Sequence, residues 1–388
     1  MKKILCFLLI FTFLFPCCVF AEDDTDLSST LIEHADSGIL IEATTGRILF
    51  EKEMDKKVAV ASMTKMVAQI IILENIEKGK IKWDDQIIVS KNAADMGGSQ
   101  IYISEGEKIS VRDLMKGISM ASGNDATVQM AEVIAGSEAK FVNLMNNKVN
   151  ELGLKNTHFK NCTGLDEDDH YSSAYDMAMI AKELVINHPD ILKFSSVYED
   201  YLREDTANKF WLVNTNKLVR YYEGADGLKT GHTDNAKYCL AATAKKNDMR
   251  LIGIVLGEEN SKTRNSEAMG LLDYGFNSVK MNVLKKAGCN IKSIKMSKAN
   301  NERVNIILKD DLGVIEEMGS NKHKYTYKYK IDNIELPIRK NSIVGKINVY
   351  EDSKLLTSGD LISDEDVNKI SYLKLFLDGM KNIVNGEI

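Results

Sequence analysis

The stretch Ala61-Ser62-Met63-Thr64-Lys65-Met66 opens a long apolar run that continues from Met66 to Leu73, with Gly79 as a plausible stop signal. Leucine, isoleucine, methionine and valine occupy nearly every face of this run, so the sequence predicts a helix that is buried on all sides. Ser62 and Lys65 are three residues apart and therefore share one face of its first turn. The start of a helix also offers free backbone N–H groups.

This spacing suits a nucleophile and its base. A serine hydroxyl is a weak nucleophile until a neighbouring base removes its proton. Lysine is such a base only when neutral, although its ordinary pKa is about 10.4. Burial and a second cation about 4 Å away both lower that pKa, the cation by roughly three units at an effective dielectric constant of ~20. The hypothesis therefore requires a second lysine or arginine elsewhere in the chain.

The motif alone is weak, because serine and lysine are both common residues. Ser371-Tyr372-Leu373-Lys374 repeats the same spacing near the C-terminus, where a surface position explains it. Partner motifs must therefore support the assignment of Ser62.

Size and charge exclude some classes of protein. A chain of 388 residues with 44% hydrophobic residues has room for two domains, one of them large. A net charge of −6 and a pI near 5.7 argue against a nucleic-acid partner.

Residues 1–21 have the pattern of a signal peptide. Two lysines precede an apolar segment over residues 4–15, and cleavage is expected after Ala21. The mature protein is then exported to the outer face of the cytoplasmic membrane or to the cell wall. An uncleaved anchor helix is the alternative, although the apolar segment is short for a span. A lipoprotein site at Cys17 is disfavoured by the bulky residues that precede it.

Three cysteines remain after cleavage, Cys162, Cys239 and Cys289. An odd number in an exported protein allows at most one disulfide and no disulfide framework. None has the C-x-x-C spacing of a structural zinc site.

A second polar motif lies between two predicted helices, Val111–Met120 and Thr127–Ile134. The segment Ala121-Ser122-Gly123-Asn124-Asp125-Ala126 forms this junction, where flanking helices would hold Ser122 and Asn124 towards a cleft. Helix capping is the alternative role for both side chains. Ser90-Lys91-Asn92 has the same S-x-N pattern, so the triplet is weak by itself.

The third motif is Asp226-Gly-Leu-Lys-Thr-Gly-His-Thr233. It is not a phosphate-binding loop, because Leu228 replaces the glycine that such a loop needs before its lysine. Lys229 is the second cation that the hypothesis requires, and Gly231 allows a ligand to approach the backbone closely. Lys229-Thr230-Gly231 is predicted to lead into the first strand of an antiparallel pair.

Other segments predict a mixed α and β architecture. We expect an early hairpin over residues 38–42 and 47–51, and the antiparallel pair over 238–243 and 250–256. Helices are expected over 141–152, 173–188 and 267–274, the last of which closes the domain. Three later strands are expected over 304–308, 325–329 and 346–350. The acidic cluster over residues 166–170 is more typical of a solvated loop than of a metal site.

The tail returns to helical spacing over residues 369–386. Its apolar stripe allows either an interfacial membrane helix or a helix packed on its own domain.

The three ordered motifs resemble those of the penicillin-recognising serine enzymes. The residues within and around these motifs resemble those of the low-molecular-mass D-alanyl-D-alanine carboxypeptidases. Three further segments share this resemblance: Asn161-x-x-Gly164-Leu165, His170-Tyr171-Ser172 and Tyr274-Gly275-Phe276. Cys162-Thr163 departs from that family's usual proline and small residue, and we expect no catalytic role to depend on this loop.

The resemblance implies an α/β (α+β) fold of the β-lactamase/transpeptidase type. An antiparallel sheet with an all-helical subdomain is expected over residues 27–276, a small all-β domain over 284–366 and the amphipathic helix at the C-terminus. The implied substrates are peptidoglycan stem peptides, and β-lactam antibiotics are the implied inhibitors. No cofactor and no metal are expected.

The resemblance also implies residue roles. Ser62 attacks the peptide carbonyl, Lys65 is the base, and Ser122 passes a proton to the leaving D-alanine. Asn124 orients the substrate. The substrate-binding strand is expected to contribute Lys229 and Thr230 for the terminal carboxylate, Gly231, and the backbone N–H of His232 for the oxyanion.

Three alternatives use parts of the same pattern. A β-lactamase needs a deacylating glutamate, which the acidic segment over residues 166–168 could supply. A DD-endopeptidase would act on cross-links. A catalytically silent wall-binding protein is the alternative that is not an enzyme.

Overall fold

The protein is described by a computed structural model. The structure describes residues 31–204, 206–296, 299, 303–320, 323–332, 335–371, 376 and 380. The predicted signal peptide lies outside these residues, as does most of the predicted C-terminal helix. In the part of the chain that is described, no helix combines the length and the hydropathy that a membrane crossing requires.

A five-stranded antiparallel sheet forms the centre of the larger domain. The chain's sixteen described strands are β1 (Ser37–Glu42), β2 (Ile48–Lys52), β3 (Gln86–Ile88), β4 (Lys108–Ser110), β5 (Glu199–Leu202), β6 (Phe210–Val213), β7 (Ala225–Thr233), β8 (Lys237–Lys246), β9 (Met249–Glu258), β10 (Val279–Lys285), β11 (Asn290–Lys295), β12 (Arg303–Leu308), β13 (Leu312–Glu317), β14 (Thr326–Ile331), β15 (Ile343–Glu351) and β16 (Lys354–Ser363). The central sheet has the order β2-β1-β9-β8-β7, which leaves β7 at one edge.

Helices cover both faces of this sheet. They are α1 (Lys65–Glu77), α2 (Lys91–Ala94), α3 (Val111–Lys116), α4 (Asn124–Ala135), α5 (Glu138–Glu151), α6 (Ala174–Asn187), α7 (Leu192–Ser195), α8 (Leu218–Tyr221) and α9 (Ser261–Ser278). Because strand side chains alternate, Ile39 and Ile41 join the core beneath α1 and α6, whereas Leu40 joins the core beneath α9. All six residues of β1 are buried, as expected for a strand covered on both faces.

A second, all-β unit follows α9. Strands β11, β12, β16, β15 and β14 form its five-stranded sheet, and β10 pairs with β13. Its own core contains Val304, Ile306, Ile347, Val349 and Leu361.

The predicted elements within the described residues are found in the predicted order, but β5, β6 and α8 were not predicted. Three further details differ from the prediction. Ser62 precedes α1 and lies in a 3-10 turn over Ala61–Thr64. The helix predicted from Val111 ends as α3 at Lys116 and continues as a π-helical turn over Gly117–Ala121. Lys229-Thr230-Gly231 does not lead into a strand but lies within one, the edge strand β7. Glycines and polar residues in β7 hide its strand character, because an edge strand next to a cleft is not packed like a core strand.

Candidate active site

Ser62 and Lys65 meet at the buried start of α1. Lys65 is fully buried, and its Nζ lies 2.8 Å from Ser62 Oγ. The 3-10 turn places the two side chains on one side, as their spacing predicts. Burial lowers the pKa of Lys65 to about 7, although Cys162 and Asp125 oppose that shift. About half of an amine with this pKa is neutral at pH 7, and the neutral amine can accept the hydroxyl proton.

The loop over residues 161–165 closes over this turn. Thr163 contributes its backbone oxygen, which accepts a hydrogen bond from Lys65 Nζ at 2.6 Å. Gly164 has φ of +84°, and a Cβ there would lie only 1.9 Å from the carbonyl oxygen of Ala61. We expected no catalytic role to depend on this loop; that prediction remains untested, but the loop's backbone does contact the candidate base. The side chain at 163 need not match the family's pattern, because a carbonyl makes the contact.

The segment between the π-helical turn and α4 places Ser122 and Asn124 at the cleft. Ser122 adopts left-handed backbone angles, with φ of +62°, and its Oγ is buried. Among the residues that the structure describes, this Oγ has no hydrogen-bond partner. Asn124 Nδ2 donates to the carbonyl oxygen of Gly97 at 2.7 Å, which ties α4 to the loop on the rim. Neither side chain caps α4, so the capping alternative does not describe them.

Strand β7 forms the opposite wall. Lys229 is buried and its Nζ donates to the backbone oxygen of Thr230, while Thr230 Oγ1 donates to Thr215 Oγ1 at 2.8 Å. A Cβ at Gly231 would lie 2.6 Å from the carbonyl oxygen of Val60, so glycine allows β7 to approach the nucleophile's turn. The His232 side chain is exposed and contacts the ring of Tyr238, with the ring centroids 4.1 Å apart and the planes tilted by 39°.

Part of this set borders a cleft of about 420 Å³, although Lys65, Asn124 and Lys229 are not among its lining residues. Its lining includes Ser62, Ser122, Thr230, Gly231 and His232, and therefore joins all three sequence motifs. Within the described sheet β7 is an edge strand, and its residues Thr230, Gly231 and His232 line the cleft.

Six polar residues that line the cleft were not predicted from the sequence: Ser99, Thr215, Lys217, Tyr238, Ser261 and Arg264. Arg264 projects from α9 and is buried, and its guanidinium donates to Asn265 Oδ1. No carboxylate of the described residues forms an ion pair with it. A buried arginine on a helix beside the cleft has no short sequence signature, because its position depends on how α9 packs against the sheet.

The prediction was that burial and a second cation together lower the pKa of Lys65. Burial does lower it, but no second cation is among the causes. The repulsion acts on the other lysine: burial, Lys65 and Arg264 together lower the pKa of Lys229 well below its usual range. Of these three basic side chains, Arg264 lines the cleft, whereas Lys65 and Lys229 are buried and are not among its lining residues.

The acidic loop contains a buried histidine that supports the nucleophile's turn. His170 Nε2 lies 2.8 Å from Thr64 Oγ1, and its Nδ1 accepts from the backbone N–H of Lys160. Burial lowers the pKa of His170 to about 4, so it is neutral at physiological pH. No group of three or more metal-ligating side chains is arranged for a metal ion within the described ranges.

Comparison with known proteins identifies the family. A family model described as D-alanyl-D-alanine carboxypeptidase matches residues 25–260. The chain belongs to the D-alanyl-D-alanine carboxypeptidase family. A second model, the C-terminal domain of penicillin-binding protein 5, matches residues 280–369.

Relatives within this carboxypeptidase family span nearly the whole chain. The D-alanyl-D-alanine carboxypeptidase DacF of Bacillus subtilis is 43% identical over 376 residues, which cover 96% of each chain. DacA of Escherichia coli is 34% identical, covering 89% of this chain and 87% of its own.

Solved structures agree with the sequence relatives. Penicillin-binding protein 5 of Haemophilus influenzae has a TM-score of 0.68 at 30% identity, covering 87% of this chain and 99% of its own. Penicillin-binding protein D2 of Listeria monocytogenes, solved in an ampicillin-bound form, has a TM-score of 0.56 at 30% identity. It covers 62% of this chain and 97% of its own. The two-part fold of this protein is therefore that of a penicillin-binding protein.

Proposed function

We propose that this chain is an exported serine D-alanyl-D-alanine carboxypeptidase that removes the terminal D-alanine from peptidoglycan stem pentapeptides and is inhibited by penicillins. The observation that carries the proposal is the 2.8 Å approach of Lys65 Nζ to Ser62 Oγ. The relatives' names supply the substrate class, and the ampicillin-bound neighbour supports the class of inhibitor.

In the first step, Ser62 Oγ bonds to the carbonyl carbon between the two terminal D-alanines. Neutral Lys65 receives the hydroxyl proton as the bond forms. The oxyanion accepts from the backbone N–H groups of Ser62 and His232, and loss of one such donor typically costs about 3 kcal/mol. The close approach that Gly231 permits between β7 and the serine's turn supports this pairing of donors.

The C–N bond then breaks and the leaving D-alanine takes a proton through Ser122. Its buried, unpartnered Oγ in the cleft is suited to a proton relay, since no protein group competes for it among the described residues. Asn124 orients the substrate amide. Water finally hydrolyses the acyl-enzyme and restores Ser62.

The terminal carboxylate binds at the basic end of the cleft. Lys229 and Thr230 receive it, and we add Arg264, whose buried guanidinium also lines the cleft. The bound anion favours the charged form of Lys229, whose pKa is otherwise lowered, and a charge-assisted bond then contributes roughly 1.5–3 kcal/mol.

We further propose that successive segments of the chain have separate roles. Residues 1–21 direct export and are removed, residues 27–276 hold the active site, and residues 284–366 form the separate β domain. The separate matches of the two family models support this division.

The tail over residues 369–386 is proposed as a helix that binds the membrane surface. Of its three described apolar residues, Phe376 and Met380 are exposed and Ile370 is half-buried. Sedimentation with anionic lipid vesicles tests this. A chain that lacks residues 369–388 should remain in the supernatant, and equal sedimentation of both chains would contradict the anchor.

Release of D-alanine from a pentapeptide ending in D-Ala-D-Ala, with and without benzylpenicillin, tests the activity. Ser62→Ala should abolish both release and covalent labelling by a fluorescent penicillin. Ser371→Ala, at the second match of the spacing, is the matched control and should retain both.

Each alternative predicts a different result in these assays. Fast turnover of benzylpenicillin would favour a β-lactamase, and preferential cleavage of a cross-linked dimer would favour a DD-endopeptidase. Absence of labelling and of release would favour a silent wall-binding protein.

A further inference from the structure

Two buried acidic side chains meet between the end of β9 and α9. Glu258 is the last residue of β9 and is completely buried, and Glu267 lies on α9 and is 8% exposed. Their carboxyl groups are close enough to form a hydrogen bond with each other. We call Glu258 and Glu267 the carboxyl pair. The proposed catalytic mechanism uses neither residue.

The carboxyl pair lacks the donors that two ionised carboxylates need. Glu267 Oε1 accepts from the backbone N–H groups of Glu33 and His34, each at 2.9 Å. The other three oxygens, Oε2 of Glu267 and both oxygens of Glu258, are buried and have no hydrogen-bond partner in the described part of the chain. Buried polar atoms are almost always hydrogen-bonded, and an unpaired buried carboxylate is strongly unfavourable. A proton shared between the two carboxyl groups gives two of these three oxygens a partner.

The nearest cation does not replace that proton. The charge of Lys52, on β2, acts on Glu258. However, Lys52 Nζ donates to three backbone oxygens, those of Ile32, Glu33 and Ala35. An ammonium group has three N–H donors, so these contacts use all of them.

Each of the remaining charged or titratable groups nearby has another partner, is exposed, or carries no positive charge. Lys237 forms an ion pair with Glu259 at 2.7 Å, and the guanidinium of Arg264 donates to Asn265 Oδ1. The side chain of His34 is exposed and lies 3.8 Å from that of Glu33. The groups without a positive charge are Glu33, Asp36, Tyr238 and Cys239.

Electrostatics places the shared proton on Glu258. Burial and the neighbouring Glu267 carboxyl raise the pKa of Glu258 to about 8, although the charge of Lys52 opposes this shift. Burial acts in the same direction on Glu267, but the hydrogen bond from Glu258 and the backbone N–H groups of residues 33–35 lower its pKa overall. Glu258 is therefore the protonated member at neutral pH, and Glu267 is the ionised one.

We propose that the proton shared by the carboxyl pair holds residues 31–36 against α9, and that this segment opens when the proton is lost at alkaline pH. Ile32 and Ala35 contribute to the core beneath α9, and the segment's N–H groups bind Glu267. Once Glu258 is ionised, two adjacent buried carboxylates repel each other. Opening of the segment exposes Glu267 to water, and because residues 31–36 precede β1, the central sheet need not change.

The direction of the pH dependence follows from the two states of Glu258. Its pKa in the folded protein lies above the ordinary glutamate value of 4.5, so the folded chain binds more protons than the unfolded chain between about pH 4.5 and 8. The stability that the carboxyl pair contributes is therefore fully present below about pH 4.5 and is lost as the pH rises through about 8.

Amide hydrogen exchange of residues 33–35 in the full-length chain, corrected for the intrinsic effect of pH, tests the proposal. Between pH 6 and 9 the protection of these amides should fall about tenfold, as expected one pH unit above a pKa of about 8. Glu258→Gln should keep the protection constant, because its amide donates to Glu267 and does not titrate. Glu259→Gln, the matched control at the exposed neighbouring position, should show the wild-type fall. An equal fall in Glu258→Gln, or constant protection in the wild type, would overturn the proposal.

Infrared difference spectroscopy observes the proton itself. The wild type should show the carbonyl band of a buried carboxylic acid at pH 6 and lose it at pH 9, and Glu258→Gln should lack this band at both values. A wild-type spectrum without the band at pH 6 would mean that both carboxyl groups are ionised, and the proposal would then be wrong. If Glu258→Gln does not fold, Glu267→Gln decides: its amide donates to ionised Glu258, so the protection of residues 33–35 should again stay constant between pH 6 and 9.

Discussion

Lys65 is made a base chiefly by its surroundings. It is fully buried, and its Nζ contacts Ser62 Oγ and the backbone oxygen of Thr163 rather than a carboxylate. Burial disfavours the charged form, which lowers the pKa to about 7. The neutral amine therefore predominates above that pH and the ammonium below it.

This gives a pH prediction for the acylation step. The second-order rate constant for acylation by benzylpenicillin should rise as the pH increases through about 7, falling roughly tenfold per pH unit well below the pKa of Lys65. Stopped-flow labelling between pH 5 and 9 measures it. A rate constant that is flat across this range would contradict Lys65 as the base. Lys65→Arg, which keeps a charge but cannot lose it near pH 7, should be inactive throughout.

A second residue-scale prediction concerns the substrate carboxylate. Lys229→Ala should lower kcat/KM for a peptide with a free C-terminal carboxylate about 10- to 100-fold, since a charge-assisted bond is worth roughly 1.5–3 kcal/mol. The same peptide with an amidated C-terminus should be affected little, because it carries no anion. Kinetics on the two peptides measures the difference, and an equal loss on both would contradict the role of Lys229.

At the scale of the element, the 161–165 loop depends on Gly164. Its positive φ favours glycine, and any side chain would collide with the carbonyl oxygen of Ala61 at 1.9 Å. Gly164→Ala should therefore displace the loop and with it the carbonyl of Thr163. We expect a loss of stability of roughly 1–3 kcal/mol and an acylation rate about 100-fold lower.

Gly136→Ala is the matched control for that loop prediction. Gly136 also has a positive φ, of +78°, but a Cβ there would meet no atom within 4 Å. It should cost roughly 1 kcal/mol of stability and leave acylation unchanged. Thermal unfolding and penicillin labelling measure both effects. Equal acylation rates in the two variants would show that the loop's position does not matter to Lys65.

The elements differ in how well the sequence predicts them. The apolar run of α1 and the paired strands β8 and β9 were predicted, because elements that are buried on all sides consist of nearly unbroken runs of apolar residues. The Ser62–Lys65 contact was predicted from spacing within one turn. The Thr163 carbonyl and Arg264 were not, because a backbone group carries no side-chain signal and the site of Arg264 is fixed only by long-range packing. Strand β7 was missed as a strand, since its glycines serve close approach rather than strand propensity.

At the scale of the whole molecule, the two units make limited contact. Strand β10 follows α9 directly, and Val279 packs into the core beneath α9. Arg47, beyond the turn after β1, forms an exposed ion pair with Glu317 at 3.2 Å and donates to the backbone oxygen of Ile315. Exposed pairs of this kind contribute only about 0–1 kcal/mol. The active-site cleft is lined entirely by residues that precede β10.

A chain that ends after Ser278 should therefore fold and react with penicillin at the rate of the full chain. The Listeria monocytogenes neighbour supports this, because 97% of its length matches only 62% of this chain. Loss of Val279 exposes part of the core beneath α9, so the Tm should fall by a few degrees, about 2–4 °C for each kcal/mol.

Arg47→Ala in the full chain removes the exposed contact alone and should leave the Tm nearly unchanged. Calorimetry and penicillin labelling of the three chains measure this. If the truncated chain is soluble and folded but no longer reacts with penicillin, then the β domain acts on the cleft. The proposed separate roles of the two units would then be wrong.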